Sequence, residues 1–167
     1  MNRIDWMEKY MTEAEQLIYD NKIDQGLHML TDLLYDEPGY GRLHNYIGWA
    51  NLYYTQNVTQ AELHFKMAIR FDETFAPPYL HMGTLCIRVG RYADAIEYFQ
   101  RGLTRDQPNR VALLEGIAQA YELRKNYGQA IKFFRDALAS SAGPESHNFM
   151  EGIKRCRKKR WIMMFSF

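Results

Sequence analysis

The sequence predicts an all-α chain, a solenoid of four antiparallel helix pairs closed by one further helix, and three observations carry that prediction. First, small residues recur at a nearly constant interval. Gly26, Ala61, Ala95 and Ala130 lie 35, 34 and 35 residues apart, and Ala14, Gly48, Gly83 and Ala118 lie 34, 35 and 35 apart. A period of this length marks an array in which each repeat is one supersecondary unit. Second, large residues keep helical spacing within each interval. This is clearest between Ala76 and Asn109, where Tyr79, Met82, Gly83 and Cys86 are followed by Tyr92, Ala95, Ile96, Phe99 and Leu103. Third, Gly90, Asn109, Asn126 and four prolines, Pro38, Pro77, Pro78 and Pro108, stand at the joints where one helix gives way to the next.

Each element follows from its residues. The first pair is expected at about 4–20 and 23–36; it carries Ala14 and Gly26 and is the least regular copy, as suits a terminal repeat with one face in water. The second pair, at about 41–55 and 58–72, has Gly48 and Ala61 thirteen residues apart where the third and fourth copies have twelve, so the turn TQNVTQ is expected to hold one extra residue. The third pair, at about 76–89 and 92–105, opens on Pro77 and Pro78, which a helix tolerates only in its first turn. The fourth, at about 110–124 and 127–140, follows Asn109, a capping residue for a helix that starts at Arg110. The small residues have a packing reason. Two helices come close only where one presents Gly or Ala, and a large neighbour then fills the space; the large column here is Leu30, Phe65, Phe99 and Phe134.

The period stops after Gly143-Pro144. Residues 145–160 place Phe149, Met150, Ile153 and Cys156 on one side, which predicts a helix covering the open end of the last repeat. The organisation expected is thus a repeat array over 1–144, with repeats at about 7–40, 41–75, 76–110 and 111–142, then a capping helix at 145–160 and an apolar tail, WIMMFSF, at 161–167.

Composition narrows the chemistry. Hydrophobic residues at 47% and charged residues at 25% are ordinary globular values and speak against disorder. No run of apolar residues is long enough to span a bilayer, and the charges at Asp5, Glu8 and Lys9 interrupt what would be the core of a signal peptide, so a cytoplasmic location is expected. Cys86 and Cys156 lie far apart with no metal-ligand spacing. The five histidines form no HExxH motif, and there is neither a phosphate-binding glycine loop nor a nucleophile elbow, so no enzyme activity, metal or cofactor is expected.

The stretch APPYLHMGTLCIRVGRYADAIEYFQRGLTRDQPN resembles the tetratricopeptide repeat, with Gly83, Ala95 and Phe99 in that family's register. The resemblance extends over roughly residues 7–142 and is looser in the first copy, which lacks the Leu-Gly pair and has Gly26 where the family has Ala. It implies a right-handed solenoid and a non-catalytic adaptor or scaffold that holds a peptide or protein segment in a concave groove lined by the first helix of each pair. Alignment with the family puts Met11, Glu15, Asn45, Tyr46, Trp49, Tyr53, Leu80, His81, Thr84, Arg88, Glu115, Gln119 and Glu122 on that surface. Tyr46, Trp49 and Tyr53 form an aromatic stripe of the kind that anchors ligands. The alternative is that the stripe packs against the adjacent first helices or the protein's own tail. The subtype that clamps the carboxylate terminus of heat-shock chaperones is not indicated, because Met11, Glu15, Pro77 and His81 stand where its polar ligands would be.

The C-terminus departs from a generic array. Lys154, Arg155, Arg157, Lys158, Lys159 and Arg160 crowd seven positions, leaving fifteen basic against twenty acidic residues elsewhere. The run reads as a solvated helix end, or, joined with the apolar tail, as a contact for an anionic membrane surface that would make the protein peripheral to the membrane. Nucleic acid is disfavoured because the rest of the chain is net acidic. The tail alone could instead dock in a groove of this chain or of a second copy, giving a homo-oligomer. A chaperone for secreted subunits is a third reading, supported only by similar size and repeat type.

Overall fold

The computed structural model describes residues 3–165. Within them the chain forms nine α-helices and no β-strand, as expected. Two compact units share them, one reaching to His81 and the other beginning at Met82. The first holds α1 (Arg3–Tyr19), α2 (Ile23–Asp36), α3 (Gly41–Ala50), α4 (Val58–Phe71) and the start of α5 (Pro77–Arg88). The second holds the rest of α5, then α6 (Tyr92–Gly102), α7 (Arg110–Leu123), α8 (Tyr127–Ser140) and α9 (Ser146–Phe165).

In unit 1, Met11, Ala14 and Ile18 of α1, Leu30 and Leu33 of α2, and Leu43, Ile47 and Ala50 of α3 close one core. Met11, aligned above with the ligand-facing surface, belongs to that core and has no exposed area. Gly48 lies so close to Phe65 of α4 that a Cβ there would stand 2.7 Å from Phe65 Cδ1. The α3–α4 pair is also joined by two histidines. His44 Nε2 donates to Pro38 O at 2.9 Å, which leaves its Nδ1 to accept from His64 Nδ1 at 3.0 Å. Burial first, and His44 second, pull the His64 imidazole down to about 4.

In unit 2 the same device repeats. The Phe99 ring lies between Gly83 of α5 and Gly116 of α7, where a Cβ on Gly116 would stand 2.6 Å from Phe99 Cζ. Phe134 of α8 meets Gly152 of α9 in the corresponding way, at 2.9 Å. Gly152 therefore does for the last phenylalanine what a further repeat's first helix would do. Phe149, Ile153 and Cys156 beside it join Leu114, Ala118, Ala130 and Ala137 in a single core. The helix runs on to Phe165, five residues past its expected end, so Trp161–Phe165 are helical rather than a separate tail. Ser166 and Phe167 lie outside the described residues.

One left-handed residue closes the first helix of every pair. Asn21, Gln56, Gly90 and Lys125 have φ of 63°, 57°, 78° and 60°, and each stands five residues before the small residue of the second helix. Around three of them the amide of the next residue bonds a carbonyl five back: Lys22 to Leu17, Arg91 to Cys86, Asn126 to Tyr121. In the second pair Asn57 N instead reaches six back, to Asn51 O, and Asn51–Thr55 form a π-helical segment. The extra residue of the second copy is thus taken up inside the helix and not in the TQNVTQ turn. Second helices begin on side-chain caps at Asn57 and Asn126, and Asn109 caps α7 as predicted, with Oδ1 accepting from Ala112 N at 3.2 Å.

Candidate functional site

Unit 1 forms a hollow of about 240 Å3. Glu15 of α1, Asn45, Tyr46 and Trp49 of α3, Phe75 in the link before α5, and Pro77 and His81 of its first turns line it. Three side chains come from α3 because positions 45, 46 and 49 share one side of a helix, while Leu43, Ile47 and Ala50 enter the core on the other.

The walls are aromatic and packed on one another. Trp49 meets Tyr19, Tyr46 and Tyr54 edge to face, with ring centroids 5.6, 6.4 and 5.1 Å apart. His81 stacks on Phe65 at 5.3 Å and stands 3.4 Å from the Tyr53 hydroxyl. Burial holds the His81 imidazole down to about 4, which makes it neutral at pH 7. Burial, and then the Glu15 carboxylate, push the Tyr46 phenol upward, so it keeps its proton.

The polar side is incomplete. Asn45 is only 7% exposed, and its Oδ1 has no hydrogen-bond partner among the described residues. A buried acceptor left so costs about 1–3 kcal/mol, and native folds hold few of them. A bound N–H donor would remove that cost.

The comparisons with known proteins bear on what this architecture is. Residues 82–146 match the tetratricopeptide repeat family. No curated protein sequence matches the chain. Among solved structures it is similar to the MamA protein at 15% identity and a TM-score of 0.79, covering 93% of this chain and 82% of that one. It is also similar to PilW, a widely conserved type IV pilus biogenesis factor, at 14% identity and a TM-score of 0.76, covering 95% and 80%. A thermophilic tetratricopeptide-repeat protein of Thermus thermophilus matches at 16% identity and a TM-score of 0.67, over 89% of this chain and 78% of that one. Residues 82–146 thus carry the tetratricopeptide repeat, and the chain has the fold of these solved structures. These likenesses, all far below 25% identity, concern the fold.

Of the groove residues expected in unit 1, the repeat array brings Asn45, Tyr46, Trp49 and His81 into the hollow together with Glu15. Tyr53 reaches it only through His81, and Leu80 is half-buried beside it in sequence. Phe75 was not expected there. It precedes a helix and so belongs to no periodic pattern; its only signal is an aromatic residue two positions before a helix-opening proline.

In unit 2, Thr84 is half-buried and Arg88 exposed on α5, and Gln119 donates to Glu115 Oε1 at 3.0 Å along α7. Glu122 is not an open groove residue. It is buried, and accepts from Arg155 Nε and Nη2 at 2.7 and 2.6 Å and from Lys159 Nζ at 2.8 Å. Arg155 and Lys159, expected to face an anionic surface, are thereby engaged within the fold, and Lys154 pairs with Glu151 at 2.7 Å. Arg157, Lys158 and Arg160 are exposed. Arg157 and Arg160 border a cleft of about 560 Å3 with Lys132, Arg135, Trp161 and Met164. Both cysteines are buried and unlinked. Among the described residues no three His, Cys, Asp or Glu side chains gather as metal ligands would, and no helix is long and apolar enough to cross a membrane.

Proposed function

We propose that this repeat array is a non-catalytic adaptor that seats a segment of another protein in the hollow of unit 1, with Asn45 as the polar anchor and Tyr46 and Trp49 as its walls. The observation that carries this reading is the buried, unpartnered Asn45 Oδ1. A fold that needed Asn45 only for packing would gain by an apolar residue there, and a ligand amide supplies the missing donor. Asn45→Leu is therefore expected to stabilise the protein by about 1 kcal/mol, since it removes an unsatisfied buried group, while abolishing binding of peptides selected on the wild type from a displayed library of randomised peptides. Stability is read from urea midpoints and binding from fluorescence anisotropy. A destabilised Asn45→Leu protein, or one that binds the selected peptides undiminished, overturns the assignment.

A second reading concerns α9. Trp161, Ile162, Met163, Met164 and Phe165 are all largely exposed, beside the cations of the α8–α9 cleft. Such apolar residues flanked by Lys and Arg suit an anionic lipid surface. Co-sedimentation with phosphatidylserine vesicles should be lost on Trp161→Ser with Met164→Ser, and absence of sedimentation for the wild type removes the reading.

A further inference from the structure

The geometry points to a lysine or arginine side chain of the bound segment as the group that fills the hollow, so that the partner is a peptide with a basic residue at the seated position. This deepens the adaptor reading and rests on it. The hollow offers two acceptors, the Glu15 carboxylate and the Asn45 Oδ1, the latter on an amide whose Nδ2 is a donor. Tyr46, Trp49 and Phe75 add aromatic rings, whose faces attract cations. One guanidinium already uses this property, since Arg42 stands over the Phe75 ring 5.4 Å from its centroid. Arg42 is itself paired with Glu8 at 3.1 Å, so it does not set an uncompensated charge against a second cation. His81, neutral at pH 7, sets none either.

The alternatives fit less well. A carboxylate would face the Glu15 carboxylate within a unit that is already net acidic. An apolar side chain would leave Asn45 Oδ1 orphaned. An ammonium or guanidinium satisfies both groups and lies against the rings. The size agrees: about 240 Å3 falls below the roughly 300–1,000 Å3 of small-molecule pockets, and holds one side chain. The surroundings agree as well. Up to His81 the chain has twelve Asp and Glu against six Lys and Arg, a field that draws cations toward this unit.

The test uses peptides selected on the wild-type protein and lost on Asn45→Leu, resynthesised with Lys, Arg, norleucine or Glu at each position. At one position Lys or Arg should bind about tenfold more tightly than norleucine, and Glu15→Gln, a change at a half-exposed residue whose melting curve confirms the fold, should shrink that preference to about twofold or less. Selected peptides that bind equally well with norleucine overturn the cationic seat while leaving the adaptor reading intact. So does a basic preference that survives Glu15→Gln. If no peptide depends on Asn45, both readings fall together. A dimer in sedimentation equilibrium that dissociates on Glu15→Gln assigns the seat to a second copy and overturns the partner peptide.

Discussion

Glu122 is 9% exposed, yet its two oxygens accept three charged hydrogen bonds from α9. The Arg155 bonds, above all, hold its carboxyl down to about 2. The partners keep about half of their side-chain surface in water, so they lose less solvation than a fully buried pair would. Glu122→Gln keeps the shape but not the charge, and should lower stability by about 1–2 kcal/mol in urea titration at pH 7. A loss under about 0.5 kcal/mol would reduce the contact to an ordinary solvated pair. The sequence could not show this latch. Glu122 falls in the register of ligand-facing residues, and its partners lie 33 and 37 residues on, in a helix outside the period. Asn45 shares that register, but the residues that line the hollow with it from further along, Phe75, Pro77 and His81, belong to the next repeat and its link. Trp49 was legible as an aromatic in the stripe, but not as a residue held by three tyrosines, which makes it part wall and part core.

At the scale of elements, the repeat columns specify which helices pair and where they touch. Gly83, Phe99 and Gly116 show why: a ring held between two glycines fits only if both helices keep their place, and either glycine replaced by alanine would push against it. What a column cannot show is how a helix absorbs a residue too many. Counting from Gly48 to Ala61 finds the extra residue and leaves its position open. The position follows from Gln56, whose left-handed backbone stands at the same distance from Ala61 as Gly90 does from Ala95. The surplus must then precede Gln56, where the helix widens into Asn51–Thr55. Asn51 clasps that segment, donating from Nδ2 to Ile47 O at 2.9 Å and accepting from Thr55 Oγ1 at 3.1 Å. π-Helical insertions are frequent at functional sites. This one ends α3, the helix that supplies Asn45, Tyr46 and Trp49, and it carries Tyr53 toward His81. The nonglycine residues at three of the four left-handed positions hid the device from sequence reading, because only Gly90 announces it.

For the whole molecule, acid should act in two windows set by different residues. His64 and His81 have folded values of about 4, against 6.5 when solvated, because burial opposes their charge. Below pH 6.5 the unfolded chain binds protons that the folded chain refuses, so folding weakens as pH falls from about 6.5 to 4. Glu122 works in the opposite chemical sense with the same outcome. Its value is depressed from 4.5 to about 2, so its contribution is complete above 4.5 and vanishes as pH falls through 2. The two histidines belong to unit 1 and Glu122 to unit 2, so the first loss originates in the unit that carries the hollow. Urea midpoints followed by tryptophan fluorescence should decline between pH 6.5 and 4 in the wild type. They should stay nearly level over that window in a protein carrying His64→Gln and His81→Gln, and both proteins should fall further below pH 4.5. A level wild-type midpoint from pH 6.5 to 4, or an unchanged slope in the double variant, would show that these two buried imidazoles do not set the acid response. The hollow then has a working range of its own: above about pH 6.5 its unit is at full stability, with His81 uncharged and the seat open to a cation.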